Sequence, residues 1–331
     1  MSKQKVPKFG LTLPNRGVII GATTCEEMFE MSEWADREEA WDSVWVGDSL
    51  FAKPRLDAIA LLGALAARTR RVKLGPACFA STPLRNALIL AYQWCCLDLM
   101  SNGRTIFVAC KGQSEPGGGQ FDKEFEALGV DPKTRTRRME EAIEIMRLVS
   151  SRETVDYEGK YNRFRNLTML PRPVQQPIPI WVTANPNTTA VADVRTGYRR
   201  VAKLGDGWMT TGKTPADVRN SLELIKGFAK EVGRTLSDDF EVAVYYNINV
   251  NEDRDAAFAE SKRFLDNYYT VNYAADFLNN WVAMGSPAEC VENIRAFVAA
   301  GATTITLRLT GYDQKKQFRR VTEEVLPKLT A

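Results

Sequence analysis

The side chains that could carry chemistry follow the ends of short apolar segments. Asp48 comes directly after the segment 43–47, and Lys111 comes directly after the segment 104–110, whose last residue is Cys110. A carboxylate at such a place could orient a substrate or move a proton, and an ammonium could meet a phosphate or a carboxylate. An aspartate that only caps a loop and a lysine that only faces water remain open as alternatives.

The apolar segments predict eight strands, because β-branched and apolar stretches alternate with amphipathic helical patterns along the chain. The predicted strands lie near residues 8–13, 43–47, 71–78, 104–110, 178–183, 206–210, 240–249 and 302–309. This alternation predicts an α/β fold of the (β/α)₈ type, a TIM barrel, whose strands all end on one face, where active sites lie. A hydroxyl followed by proline predicts helix starts at Thr82, Thr214 and Ser286.

The spacing from strand to strand roughly doubles after the fourth strand and after the seventh. We therefore expect insertions there, at about residues 111–177 and 266–285. No linker interrupts the sequence, so one domain over residues 1–331 is expected. The second insertion is rich in aromatic residues, which could line an apolar pocket or pack against a partner subunit.

Two further segments could hold a bound group. The third strand ends in Ala77 and Cys78, whose small side chains could let a flat ring lie against the backbone, although small residues also fill tapered barrel interiors. Because neither explanation is favoured by the residue types, both stay open.

After the fifth strand, a polar loop with Thr183 and Asn185 leads to a helix that we expect to begin near Thr196, Gly197 and Tyr198. Free backbone N–H groups at a helix N-terminus bind anions. Together with the lysine that follows the fourth strand, this loop predicts a phosphate pocket.

Composition excludes several classes of chemistry. The chain has no histidine, which excludes Ser-His-Asp and Cys-His mechanisms and every metal site that uses histidine, and we expect no metal ion. Six cysteines without CxxC spacing predict free thiols. The net charge of +3 gives no footprint for nucleic acid or an anionic membrane, so a small-molecule substrate is expected. The sequence shows no secretory signal and no long apolar span, which predicts a cytoplasmic protein.

The order of the segments resembles the bacterial luciferase-like, flavin-dependent monooxygenase family. The resemblance lies in FGLTLPNRG, WDSVWVGDSLFAKPRLDAIALLGALAARTRRVKLGPA, LDLMSNGRTIFVACKG, EFEALGV, PIWVTANP, YRRVAKLGDGWM and GSPAECVENIRAFVAAGATTITLRL, and covers nearly the whole chain. It implies a (β/α)₈ barrel that binds reduced FMN at its C-terminal mouth, usually as a homodimer. It also implies a partner, an NAD(P)H:flavin reductase, that supplies the reduced FMN.

The resemblance implies roles for single residues as well. Ala77 and Cys78 match a pair joined by a non-prolyl cis peptide bond, against which the flavin ring rests. Cys110 matches a reactive thiol near the ring, Lys111 stands where the family has a phosphate-binding arginine, and the loop after the fifth strand matches a second phosphate-binding element. Asp48 stands in the place of a catalytic histidine. Light emission is therefore not expected, and proton transfer would fall to Asp48, Cys110, a tyrosine or the flavin peroxide.

The sequence thus predicts a two-component monooxygenase that uses reduced FMN and oxygen to oxygenate a small organic substrate. A close alternative is an oxidoreductase of the same superfamily that uses 8-hydroxy-5-deazaflavin for hydride transfer without oxygen. A non-catalytic flavin-binding protein on the same barrel is the third alternative.

Overall fold

The computed structural model describes residues 6–113, 119–186 and 191–330, and these contain a barrel of parallel strands. The strands of the chain are β1 (Lys8–Leu13), β2 (Ser43–Val46), β3 (Lys73–Pro76), β4 (Phe107–Ala109), β5 (Thr154–Glu158), β6 (Arg163–Thr168), β7 (Ile180–Thr183), β8 (Gly207–Thr211), β9 (Glu241–Val250), β10 (Val282–Gly285) and β11 (Thr304–Leu309). Eight of them pair in the order β3-β2-β1-β11-β9-β8-β7-β4. Bridges from Leu74 to Thr105 and from Phe79 to Ala109 close the ring between its two ends. The predicted (β/α)₈ barrel is confirmed.

Helices surround the barrel and bury their apolar faces against the outer side of the strands. They are α1 (Gly17–Ile20), α2 (Cys25–Arg37), α3 (Ala58–Arg68), α4 (Ala87–Met100), α5 (Phe121–Ala127), α6 (Arg135–Ser151), α7 (Val191–Leu204), α8 (Pro215–Glu231), α9 (Arg254–Tyr269), α10 (Ala275–Trp281), α11 (Pro287–Ala299), α12 (Gln314–Arg320) and α13 (Pro327–Thr330).

Capping chemistry sets several helix starts. Thr214 and Ser286 each form a capping box with the residue three positions on, so the starts predicted there for α8 and α11 are confirmed. The start predicted at Thr82 is wrong. A short 3-10 turn follows Ser81, and α4 begins only after Asn86, whose side chain accepts hydrogen bonds from two backbone N–H groups of the first turn.

The start predicted near residues 196–198 is also wrong. α7 begins at Val191, so Thr196 lies in the second turn, where its hydroxyl donates to the carbonyl of Ala192 at 3.0 Å. A threonine followed by a glycine resembles a cap in the sequence, yet here both residues are helical. The backbone N–H groups expected to hold an anion are therefore not those of residues 196–198.

The two predicted insertions are confirmed. The segment after β4 contains α5 and the antiparallel hairpin of β5 and β6, and the segment after β9 contains α10 and β10. β10 pairs in parallel with the last four residues of β9, beyond the point where β8 ends its pairing with that strand. The second insertion thus extends the wall of the barrel at the carboxyl end of its strands.

Two tryptophan side chains fill the barrel interior below the carboxyl ends of the strands. Trp45 and Trp181 pack with ring centroids 5.3 Å apart, and both are buried. Glycines on neighbouring strands leave room for Trp45: a Cβ atom at Gly75 would lie 2.7 Å from the indole and 2.9 Å from the carbonyl oxygen of Ile106. Because a carbonyl of the backbone cannot move aside as a flexible side chain can, this space is fixed.

We expect Gly75→Ala to lower the free energy of unfolding by about 1–3 kcal/mol, because the added methyl group overpacks the interior. Gly63→Ala is the matched control, since a Cβ atom at Gly63 in α3 meets nothing within 4 Å. There alanine should stabilise the helix by roughly 0.5–1 kcal/mol. Urea denaturation followed by circular dichroism measures both, and equal stability of the two variants would contradict the packing described here.

Candidate active site

A cavity of about 720 Å³ opens at the carboxyl ends of the strands. Six residues predicted for the site line it: Asp48, Ala77, Cys78, Cys110, Thr183 and Asn185. They come from the ends of β2, β3, β4 and β7, which are adjacent in the barrel. The volume is in the range of cavities that hold cofactors and small ligands.

A second cavity of about 670 Å³ shares a wall with the first. Cys110, Thr183 and Asn185 line both, and the second cavity adds Lys111 with Thr196 and Gly197. Arg200 of α7 and Thr136 of α6 complete its polar lining. Two cations and several hydroxyl groups thus surround a space that continues outward from the first cavity.

Tyr198 is the one predicted site residue that lines neither cavity. It is 1% exposed, its hydroxyl lies 2.5 Å from that of Ser221, and its ring packs edge to face on Trp208. Its side chain is therefore part of the packing between α7, α8 and the barrel.

Asp48 has one fixed and one unpaired carboxylate oxygen. Its Oδ2 accepts a hydrogen bond from the backbone N–H of Ser81 at 2.6 Å, and its Oδ1 is buried without a hydrogen-bond partner. Arg85 lies 3.8 Å from Oδ1, while its short bonds go to Asp57 and Ser81. Burial raises the pKa of the Asp48 carboxyl, although the Ser81 N–H and the Arg85 charge act in the opposite direction.

The peptide bond between Ala77 and Cys78 is cis, as the resemblance implied. Cys78 lies beside Cys110, and both thiols are only partly exposed to solvent. A hydrogen bond from the Cys78 thiol, together with contacts to Thr183 and the Gly112 backbone, lowers the pKa of Cys110 to about 7 in spite of burial. The same pairing raises the pKa of Cys78 well above its ordinary value, because Cys78 serves as the donor.

The same cavity is also lined by residues that sequence reasoning missed. They are Lys53, Arg55, Lys213, Tyr245 and Arg308. One signal could have found Arg308: polar residues occupy alternate positions of TITLRL, as expected for a strand whose polar face points into a barrel. Burial, with the nearby charges of Arg55 and Arg16, lowers the pKa of Lys53 to about 8.

Aromatic residues of the second insertion form the remaining wall. Tyr269, Tyr273, Phe277 and Trp281 line the cavity, and each of the last three rings packs against another of the group with centroids at most 5.4 Å apart. Of the two explanations for this aromatic segment, the structure places it in a pocket wall.

The fold and this site define a barrel with a candidate site at the carboxyl ends of its strands, where barrel enzymes have their active sites. A family model described as luciferase-like monooxygenase matches residues 8–304, so the chain belongs to that family. The prediction of an oxidoreductase is confirmed at this level.

Individual relatives refine the comparison. The chain is 26% identical over 337 residues to an F420-dependent glucose-6-phosphate dehydrogenase from Amycolatopsis mediterranei, with 94% of this chain and 98% of the relative covered. An F420-dependent secondary alcohol dehydrogenase, solved with an F420-acetone adduct, matches with a TM-score of 0.79 at 17% identity over 98% of this chain and 99% of its own. Monooxygenase RslO1 from Streptomyces bottropensis matches with a TM-score of 0.75 at 24% identity over 97% and 99%.

These relatives correct two predictions. FMN as the cofactor and oxygenation by a two-component monooxygenase are contradicted, because the sequence relatives matched over nearly their whole length are named for coenzyme F420, a deazaflavin. FMN and deazaflavin enzymes share the barrel and the order of its motifs, so a resemblance carried by those motifs does not distinguish the two cofactors.

Among the described residues, no helix is long and apolar enough to cross a membrane. No group of three or more aspartate, glutamate or cysteine side chains in the same residues is arranged to hold a metal ion.

Alkylation tests the thiol pair. We expect the reaction of Cys110 with iodoacetamide to reach half of its maximal rate near pH 7, since the thiolate is the nucleophile. In Cys78→Ala the thiolate loses its donor, so the profile should move to higher pH. Peptide mapping by mass spectrometry isolates Cys110, and Cys110→Ser is the control. A half-maximal rate near the ordinary value of about 8.5 in both proteins would contradict the pairing.

Proposed function

We propose that this protein is a deazaflavin-dependent oxidoreductase, which transfers a hydride between coenzyme F420 and a small organic substrate without oxygen. The observation that carries the proposal is that Asp48, whose buried Oδ1 has no hydrogen-bond partner, lines the same cavity as the small side chains of Ala77 and Cys78. The Asp48 carboxyl is a group that can exchange a proton with a substrate. The small side chains leave the backbone open to a flat ring.

The residues present fit a flat ring with a phosphate-bearing tail. Small side chains at Ala77 and Cys78 leave the backbone accessible to a ring, and the adjoining cavity supplies Lys111, Thr196 and Arg200 for a phosphate. When bound there, the coenzyme would supply or accept the hydride. The names of the sequence relatives favour F420 for this position.

Asp48 is proposed to hold and move the proton. Oxidation of an alcohol releases a proton from its oxygen as the hydride leaves carbon, and the reverse reaction needs that proton back. The Ser81 N–H fixes one carboxylate oxygen, so the other is held in one place in the cavity. The raised pKa keeps the proton exchangeable closer to neutral pH than an ordinary aspartate would.

The predicted NAD(P)H:flavin reductase is not part of this proposal, because hydride transfer by F420 does not require reduced FMN. A homodimer, a cytoplasmic location and a single domain over the whole chain remain predictions from the sequence.

The Oδ1 of Asp48, which is buried without a hydrogen-bond partner, disfavours the non-catalytic alternative. A site that had lost its function would gain nothing from such an atom.

Binding tests the coenzyme directly. We expect F420 to bind the purified protein at least tenfold more tightly than FMN, measured by quenching of tryptophan fluorescence. Lys111→Glu should weaken F420 binding by about tenfold or more, because it replaces a phosphate-binding cation by an anion. Lys123→Glu, at an exposed position of α5 that lines neither cavity, is the matched control. Tighter binding of FMN would refute the proposed coenzyme.

Replacing the carboxyl group of Asp48 by a carboxamide tests the proposed proton transfer. In Asp48→Asn, kcat for F420 reduction should fall about a hundredfold or more, with a smaller change in KM. The carboxylate form accepts the proton, so wild-type kcat should rise with pH through the raised pKa of Asp48, and this rise should vanish in the variant.

Asp42 supplies the control for this experiment. It is a half-buried carboxyl at the opposite end of the barrel, it accepts a hydrogen bond from the backbone N–H of Phe9 at 2.8 Å, and partial burial raises its pKa too. Asp42→Asn should therefore keep the pH profile of the wild type. If both variants changed the profile alike, Asp48 would have no special role.

A further inference from the structure

The inner wall of the barrel carries a row of buried polar atoms that have no hydrogen-bond partner. Thr12 of β1, Arg308 of β11 and Asn247 of β9 are paired in register, so their side chains lie on the same face of the sheet. Thr306, two residues before Arg308, shares that face. In each of the four one atom is buried and unpaired: Thr12 Oγ1, Asn247 Oδ1, Thr306 Oγ1 and Arg308 Nη1.

Arg308 is the charged member of this row. It is 1% exposed, it lines the large cavity, and its described partners are tyrosines: its Nε donates to the Tyr245 hydroxyl, and the guanidinium lies 4.1 Å from the ring centre of Tyr268. Among the described residues no carboxylate lies within ion-pair distance of it. A buried cation without a counter-ion is costly, typically by several kcal/mol.

The charged side chains that line the cavity are also mostly positive. They are four cations, Lys53, Arg55, Lys213 and Arg308, and one carboxyl, Asp48, whose pKa is raised. Clefts lined by one sign of charge concentrate ligands of the opposite sign. An anion inside this cavity would find the guanidinium of Arg308 with an unused Nη1 donor.

The order of the strands separates this row from the proposed coenzyme position. The thiols and the cis peptide lie at the ends of β3 and β4, and Lys111 follows β4. In the closed ring β3-β2-β1-β11-β9-β8-β7-β4, β11 is the strand opposite β4. Arg308 thus faces the coenzyme side of the cavity from across the barrel.

We propose that Arg308 binds an anionic oxygen group of the substrate, a carboxylate or a phosphate ester. The inference rests on the proposed function only in that a substrate shares the cavity with the coenzyme. A guanidinium suits such a group, because its planar donors match two oxygens at once. The anion would supply the counter-charge that the described protein residues do not.

Calorimetric titration of the coenzyme-free protein tests the site with two probes, inorganic phosphate and propionate. We expect saturable binding of at least one, and the stronger of the two identifies the kind of oxyanion. Arg308→Gln should weaken that binding by about tenfold or more, and Arg308→Lys, which keeps the charge without the planar fork, should weaken it less. Arg147→Gln is the matched control, since Arg147 lines the depression at the other end of the barrel.

Arg308→Lys keeps the proposal testable if Arg308→Gln does not fold. Its affinity for the anion should fall several-fold, because an ammonium keeps the charge but cannot match two oxygens at once. Unchanged anion affinity in Arg308→Lys or in Arg308→Gln would overturn the proposal. So would the absence of binding to the wild type, which would leave ordered water as the partner of the row.

Because this titration contains no coenzyme, its failure is distinct from failure of the proposed function. Binding of the anion without hydride exchange with F420 would support the anion site and refute the proposed coenzyme. Reduction of F420 without binding of either probe would support the coenzyme and refute the anion site.

Discussion

The candidate site depends on polar atoms that the barrel buries and leaves without a hydrogen-bond partner. Burying such a group costs free energy unless a hydrogen bond compensates for it. The Oδ1 of Asp48 and the Nη1 of Arg308 are both in this condition, and both residues line the same cavity. The parallel order of the strands brings them there, since every strand ends at the same rim. A ligand with a proton to exchange and a negative charge would satisfy both.

The barrel divides this rim into two chemically different halves. On the side of β3, β4 and β7 the side chains are small or thiol-bearing, and the backbone at Ala77 and Cys78 is accessible. On the side of β9 and β11 they are phenols and a guanidinium. A flat ring packs well on the first half, and a polar substrate is held better by the second. The side chains of Trp45 and Trp181 fill the barrel beneath this cavity, so a ligand of the cavity must enter from the carboxyl ends of the strands.

The sequence predicted those features of the fold and the site that depend on local sequence pattern. Strand ends, the residues Asp48 and Cys110, and the cis bond after Ala77 follow from motifs that keep their order along the chain. The start of α7 was missed, because a threonine and a glycine look like a cap whether or not the helix has already begun. Arg308 was missed for a different reason. The alternation in TITLRL indicates only that Arg308 faces the barrel interior, and its surroundings emerge when the register shows that its neighbours on β1 and β9 also carry polar atoms without a hydrogen-bond partner.

The lack of histidine explains why burial is used so heavily here. Histidine is the side chain whose ordinary pKa lies near neutrality, so a chain without it must move other groups toward that range. Burial raises the pKa of the Asp48 carboxyl and lowers that of Lys53 to about 8, and a hydrogen bond from Cys78 lowers that of Cys110 to about 7. The pKa values of three chemically different groups around one cavity are thus shifted in the direction of neutral pH. Such clustering is typical of sites that move protons, whereas a passive ligand-binding pocket has no need of it.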